Sequence, residues 1–308
     1  MQTGILAGIG NTPLVELTRV VPAGSARVIA KLESGNPTGS MKDRMARAVI
    51  EAAAADGRLT PGGTVVEYTS GTTGISLALV CAALGYRLKA VSSDAFSEEK
   101  RRTMRAFGAE VIEIPSDHRR INAELINALI DRSRELARAP GHWWSDQLSN
   151  GDGIAGYHAL GEELWAQSGG GVDAFVQAVG TAHSIQGVAH VLRRHRPDVR
   201  VVAVEPAESP VLSGGAPGSH RIEGIGIGFV PPLWDPAIID AIETVSSDEG
   251  NAMARRLARE EGVFTGTSSG ANVVAALRLA ERLGQGATVA TLIVDSGLRY
   301  LSNETFRS

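Results

Sequence analysis

The sequence predicts an α/β protein in two domains, with open, mostly parallel sheets layered between helices as three-layer units. Three observations carry that expectation. Short β-branched and apolar runs alternate with helical patterns along most of the chain, and such alternation yields parallel strands joined by crossover helices. Glycine-rich turns beginning at Thr69, Gly180 and Gly266 stand where helices start, and ligands collect at the carboxyl ends of strands in sheets of this kind. At 308 residues the chain is also long for a single core. The expected division is 1–147 and 148–308, with early strands near 11–36 joining the second sheet.

Taken in order, Asn36-Pro37-Thr38-Gly39-Ser40 is turn-rich and leads into a helix in which Met41, Met45, Val49 and Ala52 or Ala53 recur at helical spacing. Ser40 with Asp43 forms a capping-box-like start, and the helix ends near Asp56-Gly57. Residues 64–68 read as a buried strand, from which Thr69-Ser70-Gly71-Thr72-Thr73-Gly74 turns into a helix closed by Gly85. A strand over 88–92, a charged helix over 97–107, a strand over 110–114 and a helix over about 121–138 follow. Beyond 151–156 a helix runs to about 167, and a strand over 174–179 meets Gly180-Thr181-Ala182-His183-Ser184 before a helix to about 195 and a strand over 199–205. Residues 209–236 replace periodic hydrophobes with glycine and proline and read as an ordered functional loop. Gly224-Ile225-Gly226-Ile227-Gly228 within it is not a dinucleotide fingerprint, because Pro231-Pro232 follow where a helix is needed. A helix over 248–261, a helix from Gly266-Thr267-Ser268-Ser269-Gly270 to about 283, and a strand over 288–294 complete the pattern.

Composition narrows the function. Hydrophobic residues at 43% and charged residues at 21% describe an ordinary globular protein. No apolar run approaches a membrane span, and Met1 to Asn11 lacks a basic flank and an apolar signal core, so a cytoplasmic location is expected. A net charge of -4 supplies no basic stripe for nucleic acid. Cys81 is the single cysteine, which excludes an internal disulfide and a cysteine metal cluster, and no metal site is expected.

Lys42 and the Gly180 turn carry the chemistry. A lysine in the first turn of a helix meets an unfavourable dipole, and burial adds to that effect, so its ammonium loses the proton readily. The neutral amine is a nucleophile for aldehydes. Gly180 to Ser184 lies between a strand and a helix, where backbone N–H groups and the helix dipole suit a phosphate. Together they suggest a phosphorylated aldehyde. Each signal alone is weak: a surface lysine in a capped helix is the plainer reading of Ser40 to Arg44, and most glycine-rich turns in α/β proteins bind nothing.

Order and spacing are more specific. The chain resembles the cysteine synthase (O-acetylserine sulfhydrylase) and cystathionine β-synthase family of pyridoxal-phosphate enzymes, of the tryptophan-synthase-β fold type, also called fold type II. The resemblance runs from Gly10-Asn11-Thr12-Pro13-Leu14 through Asn36 to Arg44, Thr69 to Gly74, Gln147, Glu223-Gly224-Ile225-Gly226 and Gly266 to Ala271, to Asp295-Ser296-Gly297 and Arg299-Tyr300-Leu301-Ser302. It implies that Lys42 is the catalytic lysine that bonds pyridoxal 5'-phosphate. By the same resemblance Thr69, Ser70, Thr72 and Thr73 form the loop that grips a substrate carboxylate, and Gln147 reaches that group from the other side. Gly180, Thr181, Ala182, His183 and Ser184 hold the cofactor phosphate, Thr72 lies beside the cofactor ring, and Ser268 faces the pyridine nitrogen. A neutral hydroxyl there cannot hold that nitrogen protonated as an aspartate would, which favours loss of a β substituent.

The implied reaction is β-replacement on an activated L-serine, O-acetylserine or O-phosphoserine, with sulfide, giving L-cysteine in a homodimer. This chain departs from the family pattern at two places. Thr72 stands where the family usually has Asn, and Ala182, His183 and Ser184 stand where it has Gly-Gly-Thr. A β-eliminating lyase or a synthase using an amine nucleophile is the first rival reading, and a catalytically silent regulatory homologue is the second. Arg221 is a further candidate, for an anionic leaving group, against a plain surface role, while His118, His142 and His195 belong to no constellation.

Overall fold

Alternating apolar runs and helical patterns become parallel sheets in a computed structural model of the protein, which describes residues 4–118 and 123–306. Among the described residues the order begins β1 (Leu14–Leu17), β2 (Arg27–Leu32), α1 (Lys42–Ala55), β3 (Thr64–Tyr68), α2 (Thr72–Leu84), β4 (Arg87–Ser93), α3 (Glu98–Ala106), β5 (Glu110–Ile114), α4 (Ala123–Leu136) and β6 (His142–Trp144). It continues with α5 (Asp152–Ala155), α6 (His158–Gln167), β7 (Ala174–Ala178), α7 (His183–His195), β8 (Arg200–Pro206), β9 (Ala241–Val245), α8 (Ser247–Arg256), α9 (Thr267–Leu283) and β10 (Thr288–Ile293). The α/β class with mostly parallel sheets is as expected. The expected start of the fourth helix near 121 lies outside the described residues.

The chain divides into two units. The first comprises Lys42–Gly156 and the residues up to Ile9, and the second comprises Gly10–Met41 and the chain from Tyr157 onward. In the first, four parallel strands lie in the order β5-β4-β3-β6. Every residue of β3 is buried. Helix α2 is apolar all round, with Ile75 to Cys81 buried, as a helix inside a core must be. It stops at Gly85, whose left-handed φ of 75° lets its N–H bond the Cys81 carbonyl. Burial pushes the Cys81 thiol up to about 12, so it is an inert packing residue. Helix α3 is amphipathic: Ser97 caps it, and Arg101 and Arg105 pair with Glu113.

In the second unit six strands lie in the order β1-β2-β10-β7-β8-β9, antiparallel at β1 and parallel elsewhere. Val28, Ala30, Val176, Val202 and Val289 line a core closed by α9. A capping box of Ser246 and Glu249 starts α8. The sequence predicts one helix through Glu261, but α8 passes into a π-helical turn over Leu257–Glu261 and stops at left-handed Gly262. That turn brings the Glu261 carboxylate to the N–H groups of Thr18, Arg19 and Val20, at 3.0, 2.6 and 2.8 Å. Lys31, fully buried in β2, is neutralised by Glu163 at 2.8 Å.

Candidate active site

Lys42 is the first residue of α1, one position later than a Ser40 cap would put the helix start. Ser40 itself is fully buried and bridges to Asp295 as an extended residue. Burial lowers the Lys42 ammonium from 10.5 to about 8, so about a tenth of it is neutral at pH 7, against well under a thousandth for a free lysine.

The loop after β3 is shaped by its own side chains. Thr69 Oγ1 accepts from the N–H groups of Gly71 at 2.9 Å and Gly74 at 3.1 Å, so this buried hydroxyl acts as a cap that sets the loop. Gly71 caps α2 at a φ of 145°, and a Cβ there would lie 2.4 Å from Lys100 Cδ, so no side chain fits. Ser70 is exposed and Thr72 half-buried, while Thr73 is buried and donates to Gln147 Oε1 at 2.8 Å. Gln147 Nε2 donates to the Tyr68 carbonyl at 2.9 Å. Thr69, Thr73 and Gln147 are thus brought together at the carboxyl end of β3. That bond uses one of two amide hydrogens on Gln147.

In the second unit the Gly180 turn follows β7 and enters α7. A Cβ on Gly180 would lie 2.4 Å from the Gly224 carbonyl, so the turn packs directly on the Glu223 to Gly226 backbone. Gly226 N–H bonds the Val179 carbonyl at 3.2 Å. Ala182 caps α7 in the left-handed region at a φ of 67°, so the chain turns sharply into the first helical turn, whose N–H groups have no partner within the helix. His183 is buried, its Nδ1 2.8 Å from Thr181 Oγ1, and Ser184 Oγ accepts from Gln177 Nε2 at 3.3 Å. Gln177 is in turn bonded by Asn272 Nδ2 at 3.1 Å, and Asn272 also accepts from Ala178 N–H at 2.7 Å.

The third turn does not follow a strand. Thr265 instead bridges to Ser296 beyond the carboxyl end of β10, and Gly266 starts α9, with buried Ser268 as its second residue. A Cβ on Gly266 would meet the Tyr300 ring at 2.4 Å, and Tyr300 donates to Asp295 Oδ2 at 2.6 Å. Arg221 is exposed and paired with Asp248. His195 is a surface residue, 2.7 Å from Glu162 and stacked on Trp165. Among the described residues no group of three or more His, Cys, Asp or Glu is placed to hold a metal ion.

Sequence reasoning missed Glu67. Its carboxyl is fully buried in β3 and accepts at Oε2 from Ser145 Oγ at 2.6 Å and Gln147 N–H at 3.0 Å. Burial pushes it up to about 8. The available signal was an acid inside a strand that reads as buried.

Each unit by itself holds groups suited to pyridoxal phosphate: the first a lysine of lowered pKa, the second a strand-to-helix turn whose backbone N–H groups suit a phosphate and a neutral hydroxyl at the start of α9. The family profile described as pyridoxal-phosphate dependent enzyme matches residues 5–295. A Staphylococcus aureus cysteine synthase is 42% identical over 301 residues, which cover 97% of this chain and 95% of that protein. The crystal structure of an Entamoeba histolytica cysteine synthase superposes with a TM-score of 0.91 at 36% identity, covering 99% of this chain and 91% of that one. An O-ureido-L-serine synthase matches with a TM-score of 0.92 at 39% identity, over 99% of this chain and 95% of its own.

Proposed function

The chain belongs to the pyridoxal-phosphate dependent enzymes, and we propose that it makes L-cysteine by replacing the β substituent of an activated L-serine, O-acetylserine or O-phosphoserine, with sulfide. The observation that carries this reading is a buried lysine of lowered pKa at the start of α1, in a chain 42% identical to a cysteine synthase. When bound, pyridoxal phosphate supplies an electron sink that acidifies the substrate Cα and lets the β substituent depart. Lys42 would hold the cofactor aldehyde, and its free Nζ would take the Cα proton. Gly180, Thr181, Ala182, His183 and Ser184 hold the phosphate through the amides and dipole of α7. Ser268 meets the pyridine nitrogen as a neutral partner. Ser70, Thr72, Thr73 and Gln147 bind the substrate carboxylate within the loop that Thr69 shapes. In this reading the first unit is the domain of Lys42 and the carboxylate loop, and the second is the domain of the phosphate loop and Ser268. No helix among the described residues is long and apolar enough to cross a membrane. A cytoplasmic homodimer completes the reading, by family resemblance.

Borohydride reduction followed by peptide mapping should fix the cofactor on Lys42, and O-acetylserine or O-phosphoserine with sulfide should yield L-cysteine. Reduction at another lysine, or no cysteine from either serine, overturns the proposal. Thr72 favours a second reading, a β-eliminating or amine-using enzyme of the same fold. A threonine hydroxyl is shorter than an asparagine amide and has one donor hydrogen where the amide has two. If the first reading holds with Thr72 as a weakened contact, Thr72→Asn should raise kcat/KM for O-acetylserine by up to about tenfold, the worth of one net hydrogen bond. No gain, with faster turnover of a different nucleophile by the parent protein, selects the second reading.

A further inference from the structure

The segment that delivers Gln147 is not held by the sheet. β6 ends at Trp144, and the ladder to β3 stops one residue later with Ser145 N–H bonded to the Val66 carbonyl at 3.1 Å. The next residue, Asp146, is a non-glycine residue in the left-handed region at a φ of 45°. Aspartate is one of the few side chains that tolerates this conformation, so the chain can bend sharply here. Here the bend turns the Gln147 N–H away from the ladder, and Glu67 receives it: Oε2 accepts from Ser145 Oγ at 2.6 Å and from Gln147 N–H at 3.0 Å, one on each side of the left-handed residue. From that anchor the Gln147 amide reaches the Tyr68 carbonyl and the Thr73 hydroxyl. The other carboxyl oxygen, Glu67 Oε1, is buried with no hydrogen-bond partner among the described residues.

We propose that Glu67 is a positioning residue for the substrate carboxylate: through the Ser145 hydroxyl and the Gln147 backbone it fixes the bend at Asp146 and so aims the Gln147 amide and Thr73 hydroxyl. The inference rests on the reading of Thr73 and Gln147 as carboxylate contacts given above. Neutrality of the buried acid below about pH 8 is consistent with it, since an anion beneath the loop would repel a substrate carboxylate.

The test uses the holoenzyme and two readouts: the Kd of L-alanine, which has a carboxylate but no leaving group, by calorimetry, and the separate KM values of the activated serine and of sulfide. Glu67→Leu, which removes the acceptor, should weaken L-alanine binding and raise the KM of the serine by about tenfold. The KM of sulfide should stay within about twofold, since the lost bond serves the carboxylate alone. Glu67→Gln keeps an acceptor oxygen at the same reach and should restore both values to within about threefold of the parent. Ser145→Ala removes one donor only, and should weaken L-alanine binding by about threefold even where Glu67→Leu folds poorly. Gln147→Ala should weaken it too, and adding Glu67→Leu should cost nothing further, because the two act in series. If Gln147→Ala weakens L-alanine binding while Glu67→Leu and Ser145→Ala do not, the inference is wrong and the carboxylate loop stands. If Gln147→Ala has no effect, both fall.

Discussion

Burial drives Lys42 down and Glu67 up to the same value, about 8, because removal from water disfavours the charged form of each. Lys42 should therefore be acetylated by trace acetic anhydride in the cofactor-free protein with a rate that is half-maximal near pH 8. A midpoint above pH 10, where free lysines titrate, would mean that the ammonium is solvated. Glu67 predicts a stability profile. Its carboxyl loses the proton near 4.5 in the unfolded chain and near 8 in the folded one, so the native state holds the extra proton between those values. Stability from this group is thus complete below the lower value and falls as pH rises through the window, by up to about 1.4 kcal/mol per pH unit. Lys42 acts with the opposite sign and only above pH 8, where the unfolded chain keeps its proton up to 10.5. Urea unfolding of the cofactor-free protein at pH 5, 6.5 and 8 should show the parent losing stability more steeply than Glu67→Gln. Equal slopes would place an ionised Glu67 in the native state.

The turn into α7 makes its own prediction. Gly180→Ala places a methyl 2.4 Å from the Gly224 carbonyl, which is backbone and cannot swing aside, so the turn must distort. Cofactor affinity should fall by about tenfold or more, read by absorbance titration, with Tm lowered only modestly. Unchanged affinity would show that the phosphate is held elsewhere. The sequence marks elements like these well where apolar runs are bounded by turn residues: β3 and β5 begin and end where their patterns do. It misses β6, three half-buried residues with no alternation to detect, and β9, a mostly half-buried strand at the edge of its sheet. Lys42 and the three turns are legible because each sits where a local pattern changes. Glu67 is not, because its role is set by Ser145 and Gln147, far along the chain and joined to it by tertiary contacts alone.

At the scale of the whole chain, each unit is assembled from separated stretches, with crossings at Ile9, Met41 and Gly156. The two sheets differ in reach. Strands β3 to β6 all lie within Lys42–Gly156, whereas the second sheet pairs Arg27 with Thr288. Long-range pairing must close a large loop before it is rewarded, so pulse-labelled hydrogen exchange during refolding should protect β3, β4 and β5 before β2, β7 and β10. Simultaneous protection would indicate that the units fold as one. The position of β10 has a consequence for synthesis in the cell. Of the strands described it is the last to leave the ribosome, yet it lies between β2 and β7. Until it arrives, the nascent chain carries two apolar strands with bare edges facing a missing neighbour, the kind of surface that pairs with other chains. Yield in an expressing cell should therefore depend on chaperones that shelter those edges during the last stretch of translation, even for variants whose finished fold is as stable as the parent's.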